Sequence, residues 1–201
     1  MRKALAHLAD VDPVMRGLIR RVGPYRIQYS PPSYQTMVKA IILQQLSGKV
    51  AARMFARLLE AAGDGDLTPQ RVLSLTPVRL RELGLSRQKI AYIRELAERT
   101  IAGEVNFESL KELPDEEVVR RLTALKGIGI WTVQMFLIFA LRRPDVMPSA
   151  DLGIRAAVRK AYGYRELPAP AEVERLAEPW RPYRTVASWY LWRSLEDQAG
   201  L

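Results

Sequence analysis

Apolar residues recur along this chain at helical spacing almost from end to end. Residues 33–46 set Tyr34, Met37, Val38, Ile41, Ile42 and Gln45 at i, i+3, i+4, i+7, i+8 and i+11, one continuous face of a single helix. Ser47-Gly48 breaks that pattern, and Ser47 is placed to cap a helix over about 49–62 that ends in the turn Gly63-Asp64-Gly65-Asp66. Thr68-Pro69 and Thr76-Pro77 each join a capping hydroxyl to a proline at the first helical position, which predicts two short helices. Ser86 opens a helix carrying Ile90, Ile93, Leu96, Ala97 and Ile101, closed by Gly103. Asp115 is placed to cap a helix through Ala124, with Val118, Val119, Leu122 and Leu125 turned inward. Ile130 to Leu141 is apolar on every face, so this helix must be buried almost all round, and Arg142-Arg143-Pro144 ends it. Helices from about Leu152 to Ala161 and from about Tyr183 to Asp197 complete the chain. Sustained alternation of period two is absent, and Arg26 to Tyr29 is at most briefly extended. The expected fold class is all-α, about ten helices without a long linker, low-complexity tract or internal repeat.

Composition narrows what such a helical protein does. A chain of 201 residues can bury one ample core or two small lobes. With 48 % apolar and 26 % charged residues it is an ordinary globular chain. Lys and Arg total 31 against 22 Asp and Glu, a net charge of +9. That excess points to a polyanionic partner, most simply nucleic acid, with an inert basic surface as the bland alternative. The absence of cysteine excludes disulfides, a thiolate nucleophile, cysteine-ligated zinc and a cysteine-held iron–sulfur cluster. His7 is the single histidine and cannot build a histidine metal site, so no catalytic metal is expected. The most apolar run, Met135 to Leu141, is too short to span a bilayer, and the N-terminus shows no secretion signal. A cytoplasmic protein with no membrane partner is the expectation.

The most informative stretch is Leu125-Lys126-Gly127-Ile128-Gly129-Ile130-Trp131-Thr132-Val133. Two glycines one residue apart, between two helical patterns, specify a tight hairpin whose backbone N–H groups can approach a phosphate. Asp151 follows Pro148-Ser149-Ala150 where a new helix begins. An acid in that place is ordinarily a helix N-cap, a role compatible with chemistry.

These residues carry a resemblance. Five segments match in order: Ile41-Ile42-Leu43-Gln44-Gln45-Leu46-Ser47; Leu83-Gly84-Leu85-Ser86 with Lys89; the glycine hairpin with Trp131-Thr132; Pro148-Ser149-Ala150-Asp151-Leu152-Gly153; and Trp180-Arg181-Pro182-Tyr183-Arg184 through Ala187 to Trp192. Together they resemble the helix-hairpin-helix (HhH-GPD) DNA glycosylases, and within them the 3-methyladenine DNA glycosylase II branch of alkylation repair. Lys126 stands where family hairpins often have proline, and Val133 where they often have alanine.

The resemblance implies two helical lobes around a cleft in a single domain over 1–201. The central lobe covers about 31–142 and includes the hairpin at 115–141, and segments of about 1–30 and 143–201 form the second lobe. It implies that Asp151 is the catalytic acid, beside the sugar of an extruded nucleotide. It places Trp131, Met135 and Trp192 in the base pocket, with Tyr183, Trp189 and Tyr190 left to the core. It makes Gln45 the wedge that fills the vacated stack. Lys126, Gly127 and Gly129 become the phosphate-binding residues, and Lys49 and Lys89 are further candidates for that contact. Relatives that also cut the backbone use a lysine at the position of Trp131, so this chain is expected to leave an abasic site without cutting. No cofactor is implied, beyond a structural monovalent cation on the hairpin carbonyls.

The expected partner is double-stranded damaged DNA, bound by a monomer associated with the nucleoid in a prokaryotic cytoplasm. The expected function is excision of alkylated purines of the 3-methyladenine and 7-methylguanine type. Alternatives are a glycosylase for deaminated or mismatched bases such as hypoxanthine, and a non-catalytic hairpin-type DNA-binding module.

Overall fold

Short polar side chains and prolines write most of the helix starts in this protein. The computed structural model describes residues 1–63 and 65–196; Asp64 of the expected glycine turn and Asp197 of the expected last helix lie outside the described residues. The helices are α1 Arg2–Val11, α2 Pro13–Val22, α3 Tyr34–Leu43, α4 Gly48–Ala61, α5 Pro69–Ser74, α6 Pro77–Glu82, α7 Arg87–Ile101, α8 Asp115–Thr123, α9 Ile130–Phe139, α10 Leu152–Tyr162, α11 Pro170–Ala177 and α12 Arg184–Glu196. Short 3₁₀ turns at Ser109–Glu112 and Glu178–Trp180 complete the order, and no strand occurs among the described residues. The side chains of Thr68, Thr76 and Ser86 each accept a first-turn N–H, of Arg71, Arg79 and Lys89 respectively, as the capping pattern requires.

Three boundaries depart from the hydrophobic pattern. Helix α3 stops at Leu43, so Gln45 is not on its face but in the turn beyond it. Asp115 is the first residue of α8 and not its cap; it starts an acidic first turn with Glu116 and Glu117, which suits the positive end of the helix. Helix α11 carries only Val173 and Ala177 as buried residues, too few to announce it by periodicity.

The chain divides into two units, one formed by Ser30–Leu141 and the other by Met1–Tyr29 with Arg142–Leu201. In the central unit α3 packs on α4, α7 and α9, α5 lies on α7, and α8 lies on α9. Helix α9 buries Thr132, Val133, Met135, Phe136, Leu137 and Ile138, which explains its lack of a polar face. Each large apolar side chain so buried contributes roughly 1.5–3 kcal/mol. The hydroxyl of Tyr34 in α3 donates to the Ile93 carbonyl of α7 at 3.0 Å. Burial raises the pKa of that phenol, so it stays a donor.

The split unit packs α12 against α2 and α10 around Leu8, Met15, Ile154, Val158, Trp180 and Tyr190. Buried Asp12 knots it together. Its Oδ1 accepts the N–H groups of Val14 and Met15, capping α2, at 2.8 and 3.0 Å. Its Oδ2 accepts Tyr162 Oη–H at 2.7 Å and Trp180 Nε1–H at 2.9 Å. A second knot holds the start of α12, where Arg184 Nε and Nη2 donate to Asp145 Oδ1 at 2.8 Å and Oδ2 at 3.1 Å. Burial alone would raise the Asp145 pKa, but the Arg184 hydrogen bonds and charge outweigh it and hold the carboxyl below its usual range.

Candidate active site and nucleic-acid interface

The candidate chemistry is distributed over both units, and each part is built from its own local sequence. In the split unit, Asp151 precedes α10 with φ −64° and ψ 128°, and its N–H donates to the Pro148 carbonyl at 2.9 Å. Its Oδ1 accepts the Ile154 N–H at 2.9 Å, so the acid is the N-cap of α10. The same Oδ1 accepts Trp192 Nε1–H from α12, also at 2.9 Å. Two donors from different helices thus fix the carboxylate in position and plane. Gly153 makes room for this arrangement. A Cβ there would lie 3.0 Å from Asp151 Oδ1 and 3.1 Å from Trp192 Cδ1. Asp151 and Trp192 are both half-buried.

In the central unit, α8 and α9 flank the glycine hairpin. Gly127 has φ +78°, and a Cβ on it would come within 2.0 Å of the Tyr92 ring on α7. Both the backbone conformation and the approach of that ring therefore demand glycine. Gly129 differs, with φ −90° and open space where a Cβ would lie. As N-cap of α9 it supplies no side-chain cap, and it and Ile130 are exposed. Lys126 is 78 % exposed, its Nζ 3.7 Å from Glu95 Oε2, a loose surface pair. Trp131, half-buried, and Met135, 9 % exposed, stand one turn apart on the same face of α9. The predicted pocket residues thus fall into two groups, Trp131 with Met135 in one unit and Trp192 with Asp151 in the other.

Gln45 is exposed in the turn after α3 and has φ +58°, a left-handed conformation uncommon for a residue with a Cβ. Lys89 of α7 caps the end of α3. Its Nζ donates to the carbonyls of Ile42 at 2.6 Å and Gln44 at 2.8 Å, closing the negative end of the helix. Burial lowers the Lys89 pKa. This ammonium, a candidate phosphate contact by sequence, is engaged within the protein. Gln44, which carried no predicted role, donates from Nε2 to the Gly127 carbonyl and to Thr132 Oγ1, each at 2.8 Å. Sequence reasoning missed Gln44 and Tyr92, the packing of Gly153 and the internal partners of Lys89. Only the Gln-Gln pair before a helix break, and a glycine two positions after the acid, were visible as signals.

The hairpin carbonyls can be tested as a cation site. The Leu125 carbonyl accepts the Ile128 N–H at 3.2 Å, and the Gly127 carbonyl accepts from Gln44. A carbonyl oxygen has two lone pairs, so each retains acceptor capacity, and the donor set fits a hard monovalent cation. Among the described residues no group of three or more His, Cys, Asp or Glu side chains gathers to hold a metal ion. No described helix is long and apolar enough to cross a membrane.

Residues 38–182 match the profile of the HhH-GPD superfamily base excision DNA repair proteins. The chain is 37 % identical over 199 residues to DNA-3-methyladenine glycosylase 1 of Schizosaccharomyces pombe, covering 96 % of this chain and 87 % of that one. Among solved structures, the fission-yeast 3-methyladenine DNA glycosylase Mag1 in complex with abasic DNA superimposes with a TM-score of 0.92 at 37 % identity, covering 96 % of this chain and 97 % of that one. The 3-methyladenine DNA-glycosylase of Archaeoglobus fulgidus gives 0.85 at 31 % identity, over 100 % of this chain and 71 % of that one. With this fold, hairpin and acid, the chain belongs to the HhH-GPD superfamily of base excision DNA repair proteins.

Proposed function

We propose that this protein is a monofunctional DNA glycosylase that removes alkylated purines, 3-methyladenine and 7-methylguanine in type, by hydrolysing the N-glycosidic bond. A base inside a duplex is out of reach, so the nucleotide is extruded at a cost of a few kcal/mol, least for a damaged pair. Gln45 fills the gap, and its amide can bond the base left opposite. The first turn of α9 and the hairpin grip the strand through backbone N–H, with Lys126 adding charge. Among the described residues nothing comes within 4 Å of where a Cβ on Gly129 would lie, which leaves space for a strand to approach that backbone.

As the C1′–N bond breaks, its electron pair leaves with the purine and positive charge grows on the sugar. The Asp151 carboxylate stabilises that charge. Water oxygen bonds to C1′, and its proton passes to the carboxylate and on to solvent. A purine alkylated at a ring nitrogen is cationic and departs as a neutral base, so no separate general acid is needed. Trp131 attracts the same cation through its ring face by about 0.5–2 kcal/mol, with Met135 extending the wall. With tryptophan in that place no Schiff base forms there, and the product is an abasic site. The reaction needs no cofactor. A monovalent cation on the hairpin carbonyls of residues 125–128 would stiffen the turn. The same reading has the protein act as a monomer on the chromosome of a prokaryotic cytoplasm, which light scattering and imaging of a tagged chain test.

The observation that carries this reading is the Asp151 carboxylate, fixed by Trp192 and by the first turn of α10. The test is incubation with methylated DNA and with oligonucleotides bearing hypoxanthine or mismatches, freed bases being identified by mass spectrometry. Release of 3-methyladenine or 7-methylguanine, with no borohydride-trapped adduct, is expected. Release of hypoxanthine alone would move the assignment to deaminated bases, and binding without release would leave a DNA-binding module.

A further inference from the structure

Within the central unit, the turn after α3 is fastened to its surroundings by two side chains, Gln44 and Lys89. The Gln44 side chain reaches across to the hairpin, where its Nε2 lies 2.8 Å from both the Gly127 carbonyl and Thr132 Oγ1. The Gly127 carbonyl can only accept, which sets the orientation of the amide. Lys89 holds the main chain of the same turn through the carbonyls of Ile42 and Gln44. Tyr92, three residues along α7 from Lys89 and on the same face, lays its ring against Gly127. Thr132 is 2 % exposed, so its bond to Gln44 is shielded from water. Between these anchors Gln45 stands exposed at φ +58°, a conformation that persists in a non-glycine residue only where its surroundings impose it.

We infer that Gln44 is a positioning residue for base extrusion, coupling the turn that carries Gln45 to the phosphate-gripping hairpin so that the two engage DNA as one body. The inference rests on the proposed glycosylase reading. A wedge on a loose turn could insert without the strand being gripped, or the strand be gripped without insertion. Tied by Gln44, each event orders the other. The coupling matters where a paired base must be pushed out of the stack, and little where pairing is already lost.

The experiment compares wild type with Gln44→Met, which keeps length and volume but has no N–H donor. Both act on the same alkylated purine in two duplexes, one with the lesion paired and one with it opposite an abasic-site analogue. Gln44→Met should lose about tenfold in kcat/KM on the paired duplex, the loss expected from two hydrogen bonds, and less than about twofold on the unpaired one. A thermal unfolding curve is recorded alongside, because a general loss of stability would depress both substrates equally. Equal loss on both duplexes, or no loss on either, would overturn the inference.

A second arm needs no turnover. A duplex carrying an abasic-site analogue with 2-aminopurine opposite it is saturated with each protein, and the fluorescence change reports insertion of Gln45. The change should fall by more than half with Gln44→Met, and an unaltered signal counts against the coupling. If wild type releases no base but this signal still depends on Gln44, the glycosylase reading fails while the coupling stands.

Discussion

Helix α9 begins at Gly129 with no side chain closing its first turn, whereas α10 begins at Asp151, whose carboxylate accepts the Ile154 N–H at 2.9 Å. Both starts follow a turn, and the proposed reading puts them to different uses. On that reading the start of α9 meets a phosphate from outside. The closed start of α10 spends one donor on orienting an acid that Trp192 holds from a second side. On the proposed reading, binding and chemistry fall at separate helix termini and should be separable by mutation.

Asp151→Asn is the sharpest way to break the comparison. Asparagine caps a helix about as well as aspartate, so α10 and its thermal stability should survive with little change, within about 0.5 kcal/mol. Loss of the charge should cost about 10²–10³-fold or more in single-turnover base release, while binding to an abasic-analogue duplex persists. Comparable turnover by this variant would remove the assignment of the acid. The two hairpin glycines come next. Gly127→Ala should destabilise the protein by roughly 2–3 kcal/mol in denaturant titrations, because a left-handed backbone and the Tyr92 ring both oppose a Cβ. Gly129→Ala should leave stability within about 0.5 kcal/mol and instead weaken DNA binding. An unchanged DNA affinity would mean that no strand lies against that position.

The smallest effect is expected from pH, and it concerns the fold alone. Arg184 outweighs burial to hold the Asp145 carboxyl below its usual range. A folded pKa lower than the unfolded value of about 3.9 means the contribution is complete above that value and is lost as pH falls through the lowered one. Asp145→Asn should therefore be less stable than wild type at neutral pH, with the gap closing in acid. A gap that stays constant down to pH 2 would show that the pair contributes nothing through charge.

Much of this was legible before any coordinates. Thr68-Pro69, Thr76-Pro77 and Ser86 marked helix starts because a cap is a local matter of three or four residues. Helix α9 announced its burial by lacking a polar face. Periodicity carried α3 too far, to Gln45; the group that caps its end is an ammonium on α7, and no local pattern encodes that contact. The two hairpin glycines look alike in sequence, yet only Gly127 is crowded, by a ring from a different helix. Gln44 escaped notice for a similar reason, since its partners lie 83 and 88 residues away along the chain. Asp151 stood out as a candidate because its neighbours in sequence carried the signal; its tether to Trp192 was a tertiary fact.

The narrow space at Gly153 has a consequence for how this protein tolerates change. A methyl group there would press on the acid and the indole together, so the smallest possible side chain is prescribed by a tryptophan on another helix. Exchanging Trp192 for a slimmer residue would relieve only the indole's share of that restriction and in the same stroke cost the carboxylate one of its donors. Residues 151, 153 and 192 are consequently not three independent choices, and with the acid kept, substitutions at 153 and 192 should act non-additively on stability and turnover.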